Sequence, residues 1–325
     1  MKIGIIGIGS IGQRHVRCLK ELGYSDIVAF RTKKGELKKL PDDLNYILEY
    51  TNENDFFELP LDGVIIANPT SMHIETMKKP LEKKIPVFVE KPMASFLNQI
   101  EYLKPFDTSK VMVGFCLRYH EIIKIVKKFL QENKLGSIYK ATLYCGHYLP
   151  FWHPYADYTK EYYSKENLGG GVLRTLSHEL DLAYYLFGEI QEICGVVEKR
   201  SSLKIDVDDS VIAICKMKDN STVTIEIDYL NPQCKRNGII FGSKGLLEYN
   251  FSGDITFTDY QCEVKTLYQN KKINPNAMFI EQMKDFVKMI KTNKPIGCTF
   301  TDGLYIMKII DAIEKSWEEK TWKSI

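Results

Sequence analysis

The chain has 325 residues, 44% of them hydrophobic and 26% charged, with a formal net charge of +2. That is the composition of a globular protein long enough for two cores, and the near-balanced charge gives no sign of a nucleic-acid or polyanion partner. No apolar run approaches the ~20 residues of a membrane span, and eight cysteines, at 18, 116, 145, 194, 215, 234, 262 and 298, show neither C-x-x-C nor a paired metal spacing, so no membrane partner, no metal and buried free thiols in a reducing cytoplasm are expected.

A strand opens the chain at once, which leaves no room for a signal peptide. Ile3 to Ile6 is apolar and stops at Gly7-x-Gly9-x-x-Gly12, after which residues 13–22 show helical periodicity. A glycine cluster between a strand and a helix serves a tight turn, a close backbone approach to pyrophosphate and close helix–strand packing, with the helix N-terminus facing the anion. Gly7, Gly9, Ser10, Ile11 and Gly12 are therefore candidate dinucleotide ligands. Residues 26–31 read as the second strand. An NAD-type site places Asp or Glu near its end, about 20 residues after the motif, but here the chain reads Phe30-Arg31-Thr32-Lys33-Lys34. Arg31 and Thr32, with the lysines, suit a 2′-phosphate and make NADP the preferred cofactor over NAD. The alternative is a solvated basic loop.

Residues 46–48 predict a short third strand, and residues 63–67 a buried parallel one ending in Asn68-Pro69-Thr70-Ser71-Met72-His73. Asn68, Pro69 and Thr70 lie at a carboxyl edge, where ligands bind in open α/β sheets. His73 has two readings, a ring beside the cofactor or a structural residue at the start of a helix over 71–83. Strand 85–89 delivers Glu90-Lys91-Pro92 to the same edge, an unusual place for a charged pair unless a site uses it. A helix over 94–104 and a strand over 110–115 complete the alternation of a parallel, doubly wound sheet.

From about residue 121 the pattern changes. A basic amphipathic helix, 119–133, precedes a strand at 137–144 and an aromatic insertion with Tyr148, Phe151, Trp152, His153, Tyr155, Tyr158, Tyr162 and Tyr163. Its rings suit stacking on a sugar face, or a satellite hydrophobic cluster under a long loop. Gly169-Gly170-Gly171 opens a helix predicted over 172–187, on which Arg174, His178 and Asp181 share one face by their i, i+4, i+7 spacing. Histidine exchanges protons near neutral pH, so this polar stripe is a candidate site. Seven alternating runs between 190 and 268 predict a large mixed or antiparallel sheet. Closing helices are predicted over 278–290 and 303–317.

Gly7-x-Gly9-x-x-Gly12, Glu90-Lys91-Pro92 and Gly169-Gly170-Gly171…His178-x-x-Asp181, in that order, resemble the glucose-fructose oxidoreductase / inositol dehydrogenase / MocA family over nearly the whole chain. The resemblance implies an α/β protein: an N-terminal Rossmann doubly wound parallel sheet, residues 1–120, and a C-terminal α/β domain, residues 121–325, whose large open, mostly antiparallel sheet forms a homodimer or homotetramer interface. It implies an NAD(P)-dependent oxidoreductase acting on sugars, cyclitols or nucleotide sugars, with Lys91 and His178 flanking the reacting carbon. Asp181 is expected to orient His178 or to hold a helix contact. Arg118, Tyr148, Trp152, His153, Arg174 and Thr175 are expected around the substrate, and Glu90 beside the cofactor. Many members carry Asp four residues before the histidine; Arg174 stands there instead, which suggests a fixed cation for an anionic substrate. The glycine-to-Asp181 segment also resembles a subgroup from surface-sugar biosynthesis. A different class of function, a dinucleotide-binding sensor or co-repressor without turnover, shares the fold.

Overall fold

Four consecutive buried residues make β1 (Ile3–Ile6), and the glycine turn after it feeds α1 (Ser10–Glu21), which buries His15, Val16, Cys18 and Leu19. The chain continues through β2 (Ile27–Phe30), β3 (Leu48–Tyr50), α2 (Glu53–Phe57), β4 (Gly63–Ile66), α3 (His73–Glu82), β5 (Val87–Val89) and β6 (Val111–Val113). The computed structural model describes residues 1–32, 39–154, 156–269 and 274–325; the expected roles of Lys33, Lys34 and Tyr155 fall outside the described residues. All pairings in this first sheet are parallel, in the order β3-β2-β1-β4-β5-β6. Order reverses between β1 and β4, the position at which open α/β sheets bind ligands. The third strand lies at 48–50 rather than 46–48, and the segment expected to be a helix over 94–104 is a 3₁₀ turn, Leu97–Leu103.

Beyond β6 come α4 (Glu121–Gln131), β7 (Ile138–Gly146), α5 (Val172–Thr175), α6 (His178–Phe187), β8 (Ile190–Glu198), β9 (Ser210–Met217), β10 (Thr222–Asp228), β11 (Lys235–Gly242), β12 (Gly245–Asn250), β13 (Ile255–Thr258), β14 (Val264–Tyr268), α7 (Ala277–Thr292), α8 (Phe300–Glu319) and β15 (Lys323–Ser324). Nine strands form the second sheet, in the order β14-β13-β12-β11-β7-β10-β9-β8-β15, and only β7 and β10 pair in parallel. Along β9, Val211, Ala213, Cys215 and Met217 are buried while Ile212 and Ile214 stay 46% and 38% exposed. One face of this sheet is core and the other is open, as period-2 alternation dictates.

The chain divides into two compact units, Met1–Cys116 with Pro275–Met307, and Leu117–Asn274 with Lys308–Ile325. A single boundary near residue 120 thus leaves out a return of the chain, in which α7 covers the first sheet. Its Phe286 ring lies 5.8 Å from Phe88, which in turn meets His15 at 5.0 Å, and a Cβ on Gly63 would come within 2.5 Å of Ile290. Burying each such ring contributes about 1.5–3 kcal/mol, enough to hold α7 on that unit. Five cysteines are buried, as most were expected to be, Cys194 is half-buried, and Cys234 and Cys262 are exposed on turns. No helix among the described residues is long and apolar enough to cross a membrane.

Candidate active site

The three glycines of the first turn have three different reasons to be glycine. Gly7 has φ +88°, and a Cβ there would lie 2.4 Å from the Asn68 backbone nitrogen. At Gly12 a Cβ would strike the Gly7 carbonyl oxygen at 2.2 Å. A Cβ on Gly9 would meet nothing within 4 Å. Two glycines therefore let the turn, α1 and β4's end close on each other, while the third leaves open space over the helix N-terminus. There Ser10 is exposed, Ile11 is half-buried, and among the described residues no side chain caps the first-turn N–H groups. An open cradle of backbone donors at a positive helix end fits a dinucleotide pyrophosphate.

At the end of β2, Arg31 is 7% exposed, and its Nη1 donates to Glu49 Oε1 on β3 at 2.7 Å. The cation expected to meet a 2′-phosphate already holds a carboxylate of its own chain; Thr32 beside it is exposed. Past β4, Asn68 Nδ2 donates to Thr76 Oγ1 at 2.8 Å, Pro69 sets the turn, and Thr70 is buried. His73 is 1% exposed, with Nδ1 2.9 Å from the Pro92 carbonyl and Nε2 2.9 Å from the Asn68 carbonyl. Of its two expected readings the structural one fits this placement: the ring ties two edge loops together, donating to one carbonyl at a time while it is neutral.

Glu90 and Lys91 follow β5. Glu90 is buried, and its Oε1 lies 2.6 Å from His15 Nε2, while Oε2 accepts the Lys91 N–H at 3.2 Å. An ionised carboxylate only accepts, which puts the His15 proton on Nε2. Burial works to raise the Glu90 pKa, but the His15 bond and the charges of His15 and Lys91 outweigh it and hold the carboxyl below the usual range. His15 was not foreseen as part of this group; its signal was a histidine on the buried face of α1. Between residues 87 and 95 every position is buried except Lys91.

In the second unit the glycine run is steric. Gly171 has φ +104°, and a Cβ there would lie 2.2 Å from Asp208 Oδ1, whose other oxygen accepts the Leu173 N–H at 2.8 Å. The helix expected over 172–187 breaks at Leu176–Ser177, so that His178 is the first residue of α6 rather than the middle of a continuous face. The break puts Arg174 on α5 and leaves His178 and Asp181 one turn apart on α6. Arg174, 7% exposed, pairs with Glu314 at 2.7 Å. It is therefore a buried, compensated cation and not the open anion receptor expected. Asp181, fully buried, accepts Arg118 Nε on both oxygens at 3.0 Å and Nη2 at 2.6 Å. Arg118 and Asp181, expected at the substrate and beside His178, thus hold each other in a fork-shaped ion pair, which fits the helix-contact reading of Asp181. Thr175 is buried against the Tyr229 hydroxyl. Glu179, also buried, takes Arg236 from β11 at 2.6 Å. From residue 169 to 183, His178 alone is not buried.

The aromatic insertion packs as a cluster. Trp152 Nε1 donates to the His147 carbonyl at 3.0 Å, and its ring meets Tyr229 edge-on at 5.2 Å and Tyr163 at 5.3 Å. Tyr148 meets Phe151 edge-on at 5.0 Å, and His153 lies 6.4 Å from Tyr163. Phe151 is 54% exposed, the most open ring among the described residues of the insertion.

Two of the histidines with lowered pKa, His73 and His120, illustrate a pH dependence of stability. Burial lowers the pKa of His73, the two carbonyls notwithstanding. His120, its ring tilted against Phe251 with centroids 4.4 Å apart, has its pKa pushed down to about 4 by burial and then by Arg236, against a smaller opposing effect of Glu121. Both rings protonate more readily in the unfolded chain, near pH 6.5. Their contribution to stability is thus full above that pH and is lost as the pH falls toward 4. His120→Gln is expected to flatten the fall in unfolding free energy between pH 7 and 4.5, by about 1 kcal/mol once partial exposure is discounted. An unchanged slope in that variant would remove His120 from the account.

Two sequence profiles match the chain. One is described as an oxidoreductase family with an NAD-binding Rossmann fold and covers residues 1–113; the other is the GFO/IDH/MocA C-terminal domain, over residues 123–248. Myo-inositol 2-dehydrogenase of Thermotoga maritima is 25% identical over 336 aligned positions, covering 98% of this chain and 97% of its own. The rhizopine catabolism protein MocA of Rhizobium meliloti is 24% identical and covers 96% and 93%. Among solved structures, a levoglucosan dehydrogenase in complex with NADH superposes with a TM-score of 0.88 at 19% identity, over 100% of this chain and 99% of that one. A myo-inositol dehydrogenase from Corynebacterium glutamicum gives 0.80 at 19%, over 100% and 98%. The fold of both solved structures is the fold described above.

Proposed function

The chain belongs to the GFO/IDH/MocA oxidoreductase family, and on that premise we propose that it transfers a hydride between a nicotinamide dinucleotide and a sugar or cyclitol. One observation supports the choice of reacting residues above the rest: Lys91 and His178 are each the one partly exposed position in an otherwise buried run. A charged or titratable side chain raised out of such a run is placed for contact with a ligand.

The nicotinamide, when bound, accepts or returns the hydride. The chain supplies the handling of the substrate oxygen. In the oxidation direction His178, at the N-terminus of α6, takes the hydroxyl proton. Lys91 donates a hydrogen bond to the same oxygen and stabilises the charge that develops on it. Glu90, fixed by His15, holds the backbone of Lys91 in place. Asp181 and Arg118 hold the first turn of α6, and Trp152, His153 and Tyr148 bound the substrate side of the aromatic cluster, with Phe151 open to a sugar face.

The names of the relatives, inositol and levoglucosan dehydrogenases, support an uncharged polyol. With Arg174 compensated by Glu314, a nucleotide sugar of surface-polysaccharide synthesis is the less favoured extension of the same reading. Arg31 and Thr32 support a preference for NADP over NAD, to the extent that Glu49 leaves the guanidinium available. The proposal includes a cytoplasmic homodimer or homotetramer joined through the open face of the nine-stranded sheet, which leaves Ile212 and Ile214 uncovered.

The test is a titration of the purified protein with NAD(H) and NADP(H), followed by a turnover screen of cyclitols and sugars, read by nicotinamide absorbance. Binding of one dinucleotide and its reduction by at least one polyol are expected. Binding without turnover across the panel would favour a sensor of the same fold, and binding of neither would overturn the reading.

A further inference from the structure

Among the described residues, the carboxyl end of β2 carries no acid. Ile6 pairs in register with Phe30, so Arg31 leaves the sheet alongside Gly7 and the dinucleotide cradle. The acid comes instead from the neighbouring strand. Glu49 on β3 is in register with Ala29, and the Arg31 N–H bonds the Tyr50 carbonyl at 2.9 Å, which ties the backbone of the cation to the strand of the anion. The two side chains meet at 2.7 Å, Arg31 at 6% exposure and Glu49 at 21%. Cation and anion thus sit together where the adenosine ribose of a dinucleotide lies in this fold.

The two partners favour opposite ligands. A guanidinium prefers a 2′-phosphate dianion, which it binds by charge-assisted, bidentate hydrogen bonds. A carboxylate accepts from a 2′-hydroxyl and repels a phosphate. An ion pair held at 2.7 Å engages the cation before any ligand arrives and places a negative charge against the phosphate. We propose that Glu49 sets the choice between NAD and NADP: it holds Arg31 back from a 2′-phosphate and offers a carboxylate oxygen to a 2′-hydroxyl. This deepens the dinucleotide reading and rests on it. The acid that selects NAD in such sheets has here moved one strand over, where it is answered by an arginine.

Glu49→Gln retains the size of the side chain and an acceptor but removes the charge. Titrations with NADH and NADPH, followed by nicotinamide fluorescence, are expected to show the affinity ratio moving toward NADPH by at least ~10-fold in this variant. On an Arg31→Ala background the same substitution is still expected to move the ratio toward NADPH, because the freed carboxylate itself accepts from a 2′-hydroxyl and repels a phosphate. Arg31→Gln alone releases the carboxylate and is expected to move the ratio toward NADH by a similar factor, which keeps the proposal testable if Glu49→Gln fails to fold. A ratio that stays within ~2-fold of wild type in both single variants, or moves in the opposite sense, overturns the proposal. Equal loss of both cofactors in Glu49→Gln also overturns it, since Glu49 would then only support the sheet edge. Wild-type protein that binds neither dinucleotide overturns the underlying reading, an outcome distinct from an unmoved ratio in a protein that binds.

Discussion

Lys91→Ala and His178→Ala are each expected to lower kcat by at least ~100-fold while cofactor affinity is largely kept. Removing a group that exchanges a proton with the reacting oxygen, or that stabilises charge on it, takes away an interaction made chiefly in the transition state, worth 10²-fold or more. The surroundings make the measurement clean. Lys91 follows Glu90, whose carboxylate is held by His15 and accepts the Lys91 backbone N–H. Truncation beyond Cβ leaves all of those contacts in place. His178 is partly exposed at the start of α6, so its loss opens no large cavity. Circular dichroism and melting temperature close to wild type are therefore expected beside the loss of turnover. Lys91→Arg is not expected to rescue, because a planar fork does not replace a compact ammonium at a single oxygen. Near-normal turnover by either alanine variant would sink the assignment of that residue.

What could be read ahead of the structure depended on how local the signal was. The six-stranded parallel sheet and its glycine turn rest on short apolar runs and a motif contained within residues 3–12, and apart from a two-residue shift of β3 they stand where they were expected. The open second sheet was equally legible from alternation along runs such as Val211–Met217. Periodicity failed where tertiary packing chose between helix types. Residues 97–103 wind as a 3₁₀ turn, and the run from Val172 to Phe187 breaks at Leu176–Ser177. Most of what was missed at the site is the identity of a charge's partner. Arg174 reads as a free cation until Glu314 arrives from α8, and Arg31 until Glu49 arrives from β3. Those partners are fixed by topology, and a spacing rule that looks three or four residues along one helix cannot reach them. The same limit hid His15, which touches Glu90 across 75 residues of chain.

Arg118→Ala is expected to destabilise the protein by about 3–5 kcal/mol, the cost of leaving a buried carboxylate without its cation. Asp181 is fully buried and takes three contacts from Arg118 at 2.6–3.0 Å, with the guanidinium only 11% exposed. The position of Asp181 in the first turn of α6 does not compensate, since a helix dipole returns only about 0.3–1 kcal/mol. Asp181→Ala strands the arginine instead and is expected to lose less, because a long side chain can swing its head toward water. Replacing both by leucine removes both desolvation costs and is expected to recover most of the stability. These expectations separate the two roles that spacing alone allowed Asp181. A residue that holds α6 in place lowers the melting temperature when lost and leaves the pH profile of kcat where it was, apart from the fraction unfolded. A residue that orients and charges His178 shifts that profile in Asp181→Asn while the fold stays intact. Urea unfolding of Arg118→Ala, beside the kcat profile of Asp181→Asn, therefore decides between them. A stable Arg118→Ala together with a displaced profile in Asp181→Asn would return Asp181 to His178 and leave the first turn of α6 to be held by Glu179 and Arg236.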